Sequence, residues 1–312
     1  MKEIVVISGK GGTGKTSMVA SFAALAKGAI LADCDVDAAD LHLILEPTIE
    51  KTEDFTGGKK ARIIEDECIA CNRCIEECRF DAIGYRVLDN GKKADKPSVD
   101  AISCEGCGLC KRLCPVEAIS FEPVINGQFF VSSTRHGPMV HARLGMAEGN
   151  SGKLVSLIRE EARKIAEQKK LEMIIVDGSP GIGCPVISSV TGADGILIVT
   201  EPTLSGKHDF LRVAKLAAHF RIAVLVCVNK WDLNPEMADL IEKEAVESGL
   251  KVAGRVRYDP ITTKAQIMKK SVVEYTDDAV SGDVKEVWTN VLGALGLGGG
   301  QHGNENNNER IR

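Results

Sequence analysis

The sequence predicts an α/β protein, a mostly parallel sheet with helices on both faces, interrupted by a small inserted α+β module. Three observations predict it. Short, continuously apolar runs alternate with segments of helical period, the mark of strands covered on both faces of a sheet. A glycine-rich loop, GKGGTGKT, lies between the first apolar run and the first helical segment. The alternation is then broken by a block of cysteines that is written twice.

Taken in order, Glu3 to Ser8 is a β-rich apolar run, Gly9 to Gly14 a glycine turn, and Lys15 to Ala26 an apolar helical pattern. Further strand runs are AILAD ending at Asp33, MIIVD (Met173 to Asp177), GILIVT (Gly195 to Thr200) and IAVLVCVN (Ile222 to Asn229). Helical segments follow at Lys153 to Lys169, Ser205 to Phe220 and Pro235 to Gly249. Near the end, Val284, Val287, Trp288, Val291, Leu292 and Leu295 form an apolar helical stripe with only Lys285 as a basic neighbour, which favours core packing over a membrane surface. Two stretches show no period and read as connections: EPTIEKTEDFTGGKKAR after Leu45, and STRHGPMVHARLGMAEGNSG before the helix at Lys153. The resulting division is an α/β domain of residues 1–60 and 124–297, an inserted module of 61–123, and a Gly/Asn-rich tail of 298–312 expected to be disordered.

The 312 residues carry a net charge of −5, so there is no bulk basic character, and neither nucleic acid nor a membrane is expected as a partner. The opening MKEIVVISGKGG is too short in its apolar part for a signal peptide, and no run approaches the roughly 20 apolar residues of a membrane span. A cytoplasmic protein is expected. Eleven cysteines there call for a metal explanation, because a reducing compartment keeps thiols free.

Gly9 to Thr16 fits G-x-x-x-x-G-K-[ST], after a strand and before a helix. In such a P-loop the backbone amides of Gly9, Gly11, Gly12, Thr13 and Gly14 turn inward around phosphate oxygens. The helix start at Lys15, Thr16 and Ser17 adds its dipole, Lys15 reaches the β and γ phosphates, and Thr16 ligates Mg2+. The extra lysine, Lys10, makes the loop resemble that of the MinD/ParA/Mrp class of ATPases. The resemblance implies that Lys10 reaches across a nucleotide-sandwiched homodimer to the partner's phosphates. LADCDVDAAD resembles the first switch of that class, in which Asp33, Asp35 and Asp37 would hold Mg2+ waters and orient the attacking water; Asp35 and Asp37 join Lys10 and Lys15 as candidate catalytic residues. MIIVDGSPGIG similarly implies a Mg2+ carboxylate at Asp177 and a γ-phosphate-sensing amide at Gly181. One tetrapeptide, Asn229-Lys230-Trp231-Asp232, leaves the base open. Its N-K-x-D form belongs to guanine selection through the Asp, whereas in the MinD class the Asn after this strand contacts adenine.

Each cysteine copy reads C-x2-C-x2-C-x3-C: Cys68, Cys71, Cys74, Cys78, then Cys104, Cys107, Cys110, Cys114. Three close thiolates can cap one face of an iron-sulfur cube while the fourth is directed to the other copy's cube. Zinc is the competing reading, but four-cysteine zinc sites usually pair two distant C-x2-C units. The pattern resembles bacterial two-cluster ferredoxins, which implies one 4Fe-4S cluster on Cys68, Cys71, Cys74 and Cys114 and a second on Cys104, Cys107, Cys110 and Cys78. Two departures are Arg79, where the ferredoxin pattern has Pro as at Pro115, and a long loop containing NGKKADKPSVD that is expected to cap one side. Three cysteines belong to neither set. Cys34 and Cys227 read as core residues. Cys184 is either a small residue opening a helix or a redox group, as a relative in this ATPase class, the nitrogenase iron protein, has a cluster-ligating Cys at a similar distance from the Walker B Asp. The C-x2-C pair that Mrp-type carriers place in the C-terminal half is absent after Cys114.

The two resemblances together imply an iron-sulfur ATPase that uses ATP, Mg2+ and two 4Fe-4S clusters. It would work as a homodimer through its nucleotide face and couple hydrolysis to electron transfer with a redox partner. The alternative is an ATP-dependent scaffold that delivers clusters to an apo iron-sulfur protein.

Overall fold

The computed structural model describes residues 1–145, 151–220 and 222–297; the tail expected to be disordered lies outside them. In chain order the strands are β1 (Lys2–Ser8), β2 (Ala29–Asp33), β3 (Thr48–Phe55), β4 (Gly58–Ile63), β5 (Ile83–Gly84), β6 (Ser98–Val99), β7 (Ile119–Val124), β8 (Gly127–Thr134), β9 (Gly137–Leu144), β10 (Met173–Pro180), β11 (Gly195–Thr200), β12 (Ala223–Asn229) and β13 (Lys251–Val256). The helices are α1 (Lys15–Leu25), α2 (Leu41–Leu45), α3 (Arg73–Glu76), α4 (Leu109–Leu113), α5 (Ser151–Lys169), α6 (Cys184–Val190), α7 (Leu204–Ala217), α8 (Pro235–Glu247), α9 (Ile261–Ile267), α10 (Val272–Tyr275) and α11 (Ala279–Ala294).

Nine strands form one sheet in the order β13, β12, β11, β1, β10, β2, β9, β8, β3, and among them only β8 runs against its neighbours. Successive residues of a strand point to opposite faces, and β1 shows the result. Ile4 and Val6 enter a core with Met18, Val19 and Phe22 of α1 and the Val284, Val287, Trp288 and Val291 stripe of α11. Val5 and Ile7 enter a second core with Leu154, Val155 and Ile158 of α5 and Phe210 of α7. The parallel α/β sheet with helices on both faces is therefore as read from the sequence. The C-terminal stripe is core, with the Trp288 ring 4.7 Å from that of Phe22. No helix among the described residues is long and apolar enough to cross a membrane.

Both stretches read as connections turn out to contain strands. Residues 46–62 supply β3 and most of β4, and the stretch from Ser133 holds most of the β8–β9 hairpin, in which Thr134 pairs with Gly137. The physical reason is exposure. In β3 every residue from Thr48 to Asp54 faces solvent, because this edge strand is covered on neither face, so its apolar period is missing. In β9 the opening Gly137-Pro138 mimics a turn, yet Gly137 has φ 132 and packs so closely on β2 that a Cβ would lie 2.5 Å from the Ala29 carbonyl oxygen.

The cysteine module grows out of this sheet edge. β3 and β8 pair up to Phe55 and Gly127, and the chain continues on each side into β4 and β7, which pair from Gly58–Val124 to Ile63–Ile119. At the elbow between the two ribbons sits Asn126, 2% exposed. Its side-chain oxygen accepts from the amides of Gly57 and Gly58, both at 2.9 Å, while its own amide donates to the Phe55 carbonyl at 2.8 Å and its carbonyl accepts from the Gly145 amide at 2.7 Å. Lys153, at the start of α5, donates to the Gly57 carbonyl at 3.2 Å. The arm's first strand, β4, opens at Gly58, and the arm has a small apolar cluster of its own: Ala61, Ile63, Ile83 and Ile119.

Candidate functional sites: a phosphate loop and two cysteine cages

The loop from Gly9 to Gly14 turns at the carboxyl end of β1, where Gly12 and Gly14 take φ of 80 and 93. Gly14's left-handed φ favours glycine, and a Cβ there would stand 2.2 Å from Nδ2 of Asn229, displacing the side chain that holds the loop. Asn229 and Lys230 hold the loop from behind, donating to the carbonyls of Thr13 at 2.7 Å and Gly12 at 3.2 Å. A cavity of about 230 Å³ opens beside them, lined by Gly12, Gly14, Ser17, Asn229, Lys230 and Gln266 among others. Asp232 is not among its lining residues; its Oδ1 accepts the Tyr258 amide at 2.7 Å.

Lys15 is buried between carboxylates, its Nζ 2.6 Å from Oδ1 of Asp177 and 3.1 Å from Oδ2 of Asp35. Burial works to lower the Lys15 pKa, but Asp177 and Asp35 outweigh it and hold the ammonium above its ordinary range. Asp33 joins the group with a pKa raised well above the ordinary value, first by burial and then by Asp177; burial likewise raises Asp35. Three buried carboxylates thus face one lysine. Oδ2 of Asp33, Oδ2 of Asp177 and Oγ1 of Thr13 are buried without a hydrogen-bond partner. Such orphaned acceptors beside a phosphate loop fit a hydrated divalent cation, and Mg2+ takes one or two carboxylates together with waters and phosphate oxygens.

The remaining loop candidates are spread more widely. Asp37 is exposed and stands outside the Lys15 cluster, lining a neighbouring groove with His42, His141 and Arg143. Thr16 and Ser17 open α1, and Ser17 Oγ accepts from Gln266 at 2.6 Å. The Gly181 amide, at φ 91, donates to the Ser8 carbonyl at 2.8 Å. Lys10 is paired within its own chain, 2.5 Å from Glu201 Oε1 and 3.0 Å from Ser205 Oγ, and Glu201 Oε2 lies 3.4 Å from Lys230. Glu201 carries no motif in the sequence; its one signal is a carboxylate directly after a buried strand.

In the arm, Cys68, Cys71, Cys74 and Cys114 line one small cavity and Cys78, Cys104, Cys107 and Cys110 line a second. The crossing of the fourth cysteine follows from an internal two-fold relation that is visible in the backbone. Positive φ occurs at Ala70, Asn72 and Asp81 in the first copy and at the equivalent Gly106, Gly108 and Glu117 in the second. Backbone amides turn onto sulfur, Ala70 onto Cys68 at 3.4 Å and Ala118 onto Cys114 at 3.2 Å. Apolar side chains, soft sulfur and amide donors around a space between separated thiols fit an iron-sulfur cube. The cage of Cys104 lies toward the base of the arm, beside Ala61 and Phe121; the cage of Cys68 lies at its far end, beside Ile63 and Ile119. Arg79 stays exposed with its guanidinium 5.0 Å from the Phe80 ring centre, so the absent proline leaves the turn intact. The long loop folds back as β5 and β6, and Lys96 bonds the Cys68 carbonyl. Cys34 and Cys227 are fully buried and burial pushes both thiols up. Cys184 opens α6, exposed and outside both cages.

Residues 61–121 match the family model of a 4Fe-4S dicluster domain. Protein MJ0578 of Methanocaldococcus jannaschii is 35% identical over 236 residues, which cover 74% of this chain and 79% of that protein. The chain belongs to the MJ0578 family. A second protein of the same organism, MJ0579, is 26% identical over 243 residues, covering 75% and 82% of the two chains. Among solved structures, the septum site-determining protein MinD of Pyrococcus horikoshii, complexed with Mg-ADP, superposes with a TM-score of 0.57 at 15% identity, covering 96% of this chain and 98% of that one. MinD in the Aquifex aeolicus MinC:MinD complex gives 0.54 at 19%, covering 94% and 96%. This MJ0578-family protein thus has the P-loop fold of the MinD/ParA ATPases with a 4Fe-4S dicluster ferredoxin domain built into it.

Proposed function

We propose that this protein is an iron-sulfur ATPase, which binds and hydrolyses MgATP as a homodimer and couples that cycle to electron transfer through two 4Fe-4S clusters with a separate redox protein. The observation that carries the reading is continuity: the arm bearing both cysteine cages springs from the same sheet whose β1, β2 and β10 ends gather Lys15, Asp35 and Asp177. Phosphoryl transfer needs positioning and charge neutralisation more than covalent chemistry. The loop amides and Lys15 would cradle the β and γ phosphates. Thr16, Asp33 and Asp177 would hold the hydrated Mg2+, which supplies charge neutralisation between the phosphates. Asp35, inside the buried cluster, is better placed than the exposed Asp37 to orient the attacking water. Lys10, released from Glu201, would reach the partner's phosphates. Adenine is favoured over guanine because Asp232 is engaged by the Tyr258 amide and lies outside the cavity lining.

In the arm, Cys68, Cys71, Cys74 and Cys114 would hold one cube and Cys78, Cys104, Cys107 and Cys110 the other; each cube, when bound, supplies a one-electron centre. The protein residues shield and hold these centres apart, one toward the sheet and one at the tip. The test is anaerobic reconstitution with iron and sulfide, followed by metal analysis and ATP hydrolysis. The expected result is about eight irons per chain, ATP hydrolysis that Lys15→Ala lowers by on the order of a hundredfold or more without loss of iron, and loss of one cube's iron in Cys114→Ala. Zinc in place of iron, or hydrolysis indifferent to Lys15→Ala, would overturn the reading. Delivery of iron and sulfide to an apo-ferredoxin on addition of MgATP would replace electron transfer by cluster transfer.

A further inference from the structure

Arg135 sits in the two-residue turn of the β8–β9 hairpin, at the end of the ribbon away from the arm. Its guanidinium makes six hydrogen bonds that join its own hairpin to two other parts of the chain. Nε and Nη2 grip Glu274 of α10 at 2.7 and 3.0 Å; Nη1 reaches the carbonyls of Ile44 and Leu45 at 3.2 and 3.1 Å; Nη2 also reaches the carbonyls of Ile44 at 3.2 Å and Lys269 at 2.9 Å. Only a planar fork of five N–H donors can close so many acceptors at once.

The three parts it gathers are not equivalent bystanders. Ile44 and Leu45 end α2, the helix that follows Asp33, Asp35 and Asp37. Lys269 and Glu274 flank the junction of α9 and α10, and α9 carries Gln266, which lines the cavity beside the P-loop and bonds Ser17. So one side chain ties together the carboxylate segment at the phosphate end, the helix at the other end of the cavity, and the turn of the hairpin. From that turn β8 runs eight residues, about 26 Å at ~3.3 Å per residue, to Gly127 and the Asn126 elbow from which the cysteine arm departs. The elbow is not a loose linker: Asn126 uses its side-chain oxygen and both main-chain groups to fix it.

We propose that Arg135 is the positioning residue that couples nucleotide occupancy to the cysteine arm, by passing a displacement of α2 and α9 along the β8–β9 ribbon to the elbow at Asn126. The proposal rests on the reading that the P-loop cavity binds nucleotide. Binding that draws Asp35 or Gln266 toward the ligand shifts the carbonyls and the carboxylate that Arg135 holds. A paired ribbon clamped at both ends transmits that shift instead of absorbing it.

The experiment is hydrogen exchange on the full-length, cluster-loaded protein under anaerobic conditions, with and without MgATP, and a parallel measurement of ATP binding. In the wild type, MgATP changes exchange at the Gly57 and Gly58 amides and along β4 and β7. In Arg135→Gln that difference is lost while ATP binding and iron content persist. Arg135→Lys, which keeps the charge and the stem but cannot span three segments, loses it as well and guards against simple misfolding of the first variant. An undiminished difference in both variants, or no difference in a wild type that binds ATP, overturns the coupling. A wild type that binds no ATP overturns the nucleotide reading, and the coupling with it.

Discussion

Around Lys15 the protein packs charge between two large apolar cores. The buried Asp33 ends β2, Asp177 lies in β10, Asp35 follows β2 and Lys15 opens α1, and the neighbouring strand residues Val6, Ala32 and Val176 are fully buried. Around the cysteines the situation is inverted: sulfur is the centre, and only Ala61, Ile63, Ile83 and Ile119 form an apolar cluster beneath it. A sheet domain can hold an unfavourable charge cluster because burial elsewhere stabilises it. A module with so few buried apolar residues is expected to draw part of its stability from metal binding, since binding energy at a site absent from the unfolded chain is folding energy.

The largest effect that separates the two regions is removal of iron. Chelation under anaerobic conditions should abolish exchange protection throughout β4, β7 and the cysteine helices while the nine-stranded sheet keeps its own; an arm that stays protected without iron would show that its apolar cluster suffices. Next comes Lys15→Ala, which removes the cation paired with the buried Asp35 and Asp177. ATP hydrolysis should fall by on the order of a hundredfold or more, as for loss of a transition-state charge donor, with iron content unchanged. A fall of less than tenfold would move the catalytic weight elsewhere.

A finer test lies inside the arm, where the two copies are internal controls for each other. Ala70 and Gly106 hold equivalent positions at φ 56 and 64, so positive φ alone does not demand glycine here. What demands it at Gly106 is the Lys59 carbonyl oxygen, 2.2 Å from where a Cβ would stand. Gly106→Ala should cost about 1–3 kcal/mol by forcing backbone apart and speed iron release to a chelator, whereas Ala70→Gly should change stability by less than about 1 kcal/mol. Equal effects at both positions would mean that local φ, not the approach of β4, sets the requirement. The smallest effect is a pH dependence on the sheet side. Burial, aided by His42 and Arg143, lowers the pKa of His141 from 6.5 to about 4. The unfolded chain therefore takes up this proton below 6.5 and the folded chain only near 4, so this contribution to stability is intact above 6.5 and is lost progressively as pH falls to 4. Urea midpoints at pH 7 and pH 5 should differ less in His141→Gln than in the wild type.

What was legible in the sequence follows the same division. The P-loop, the Asp177 strand and the cysteine runs are short local patterns in which spacing dictates geometry, so they could be read directly. β3 could not, because an edge strand with both faces in water has no apolar alternation to betray it. β9 was hidden by its Gly137-Pro138 start and by His141, a polar residue that is buried against Ser132 of the neighbouring strand, 2.9 Å away. Arg135, Asn126 and Glu201 act through partners far away in sequence, such as Glu274, Gly57 and Lys10, or through main-chain groups, and nothing in a one-dimensional pattern distinguishes them from surface polar residues. The missing strands matter most, since they attach the arm. The sequence shows the module as an insertion between the strand ending at Asp33 and the one starting at Met173; in the structure it continues the β3–β8 ribbon at the edge of the main sheet.

The central claim is that the nucleotide site and the cysteine cages belong to one machine. The most direct test is electron paramagnetic resonance of the dithionite-reduced, cluster-loaded protein, recorded with and without MgATP. The account predicts signals of two reduced 4Fe-4S clusters, with a line shape or midpoint potential of the base cluster, on Cys78, Cys104, Cys107 and Cys110, that shifts on MgATP and does not shift in Lys15→Ala. Spectra and potentials identical in all conditions, in a protein shown to bind ATP, would contradict it.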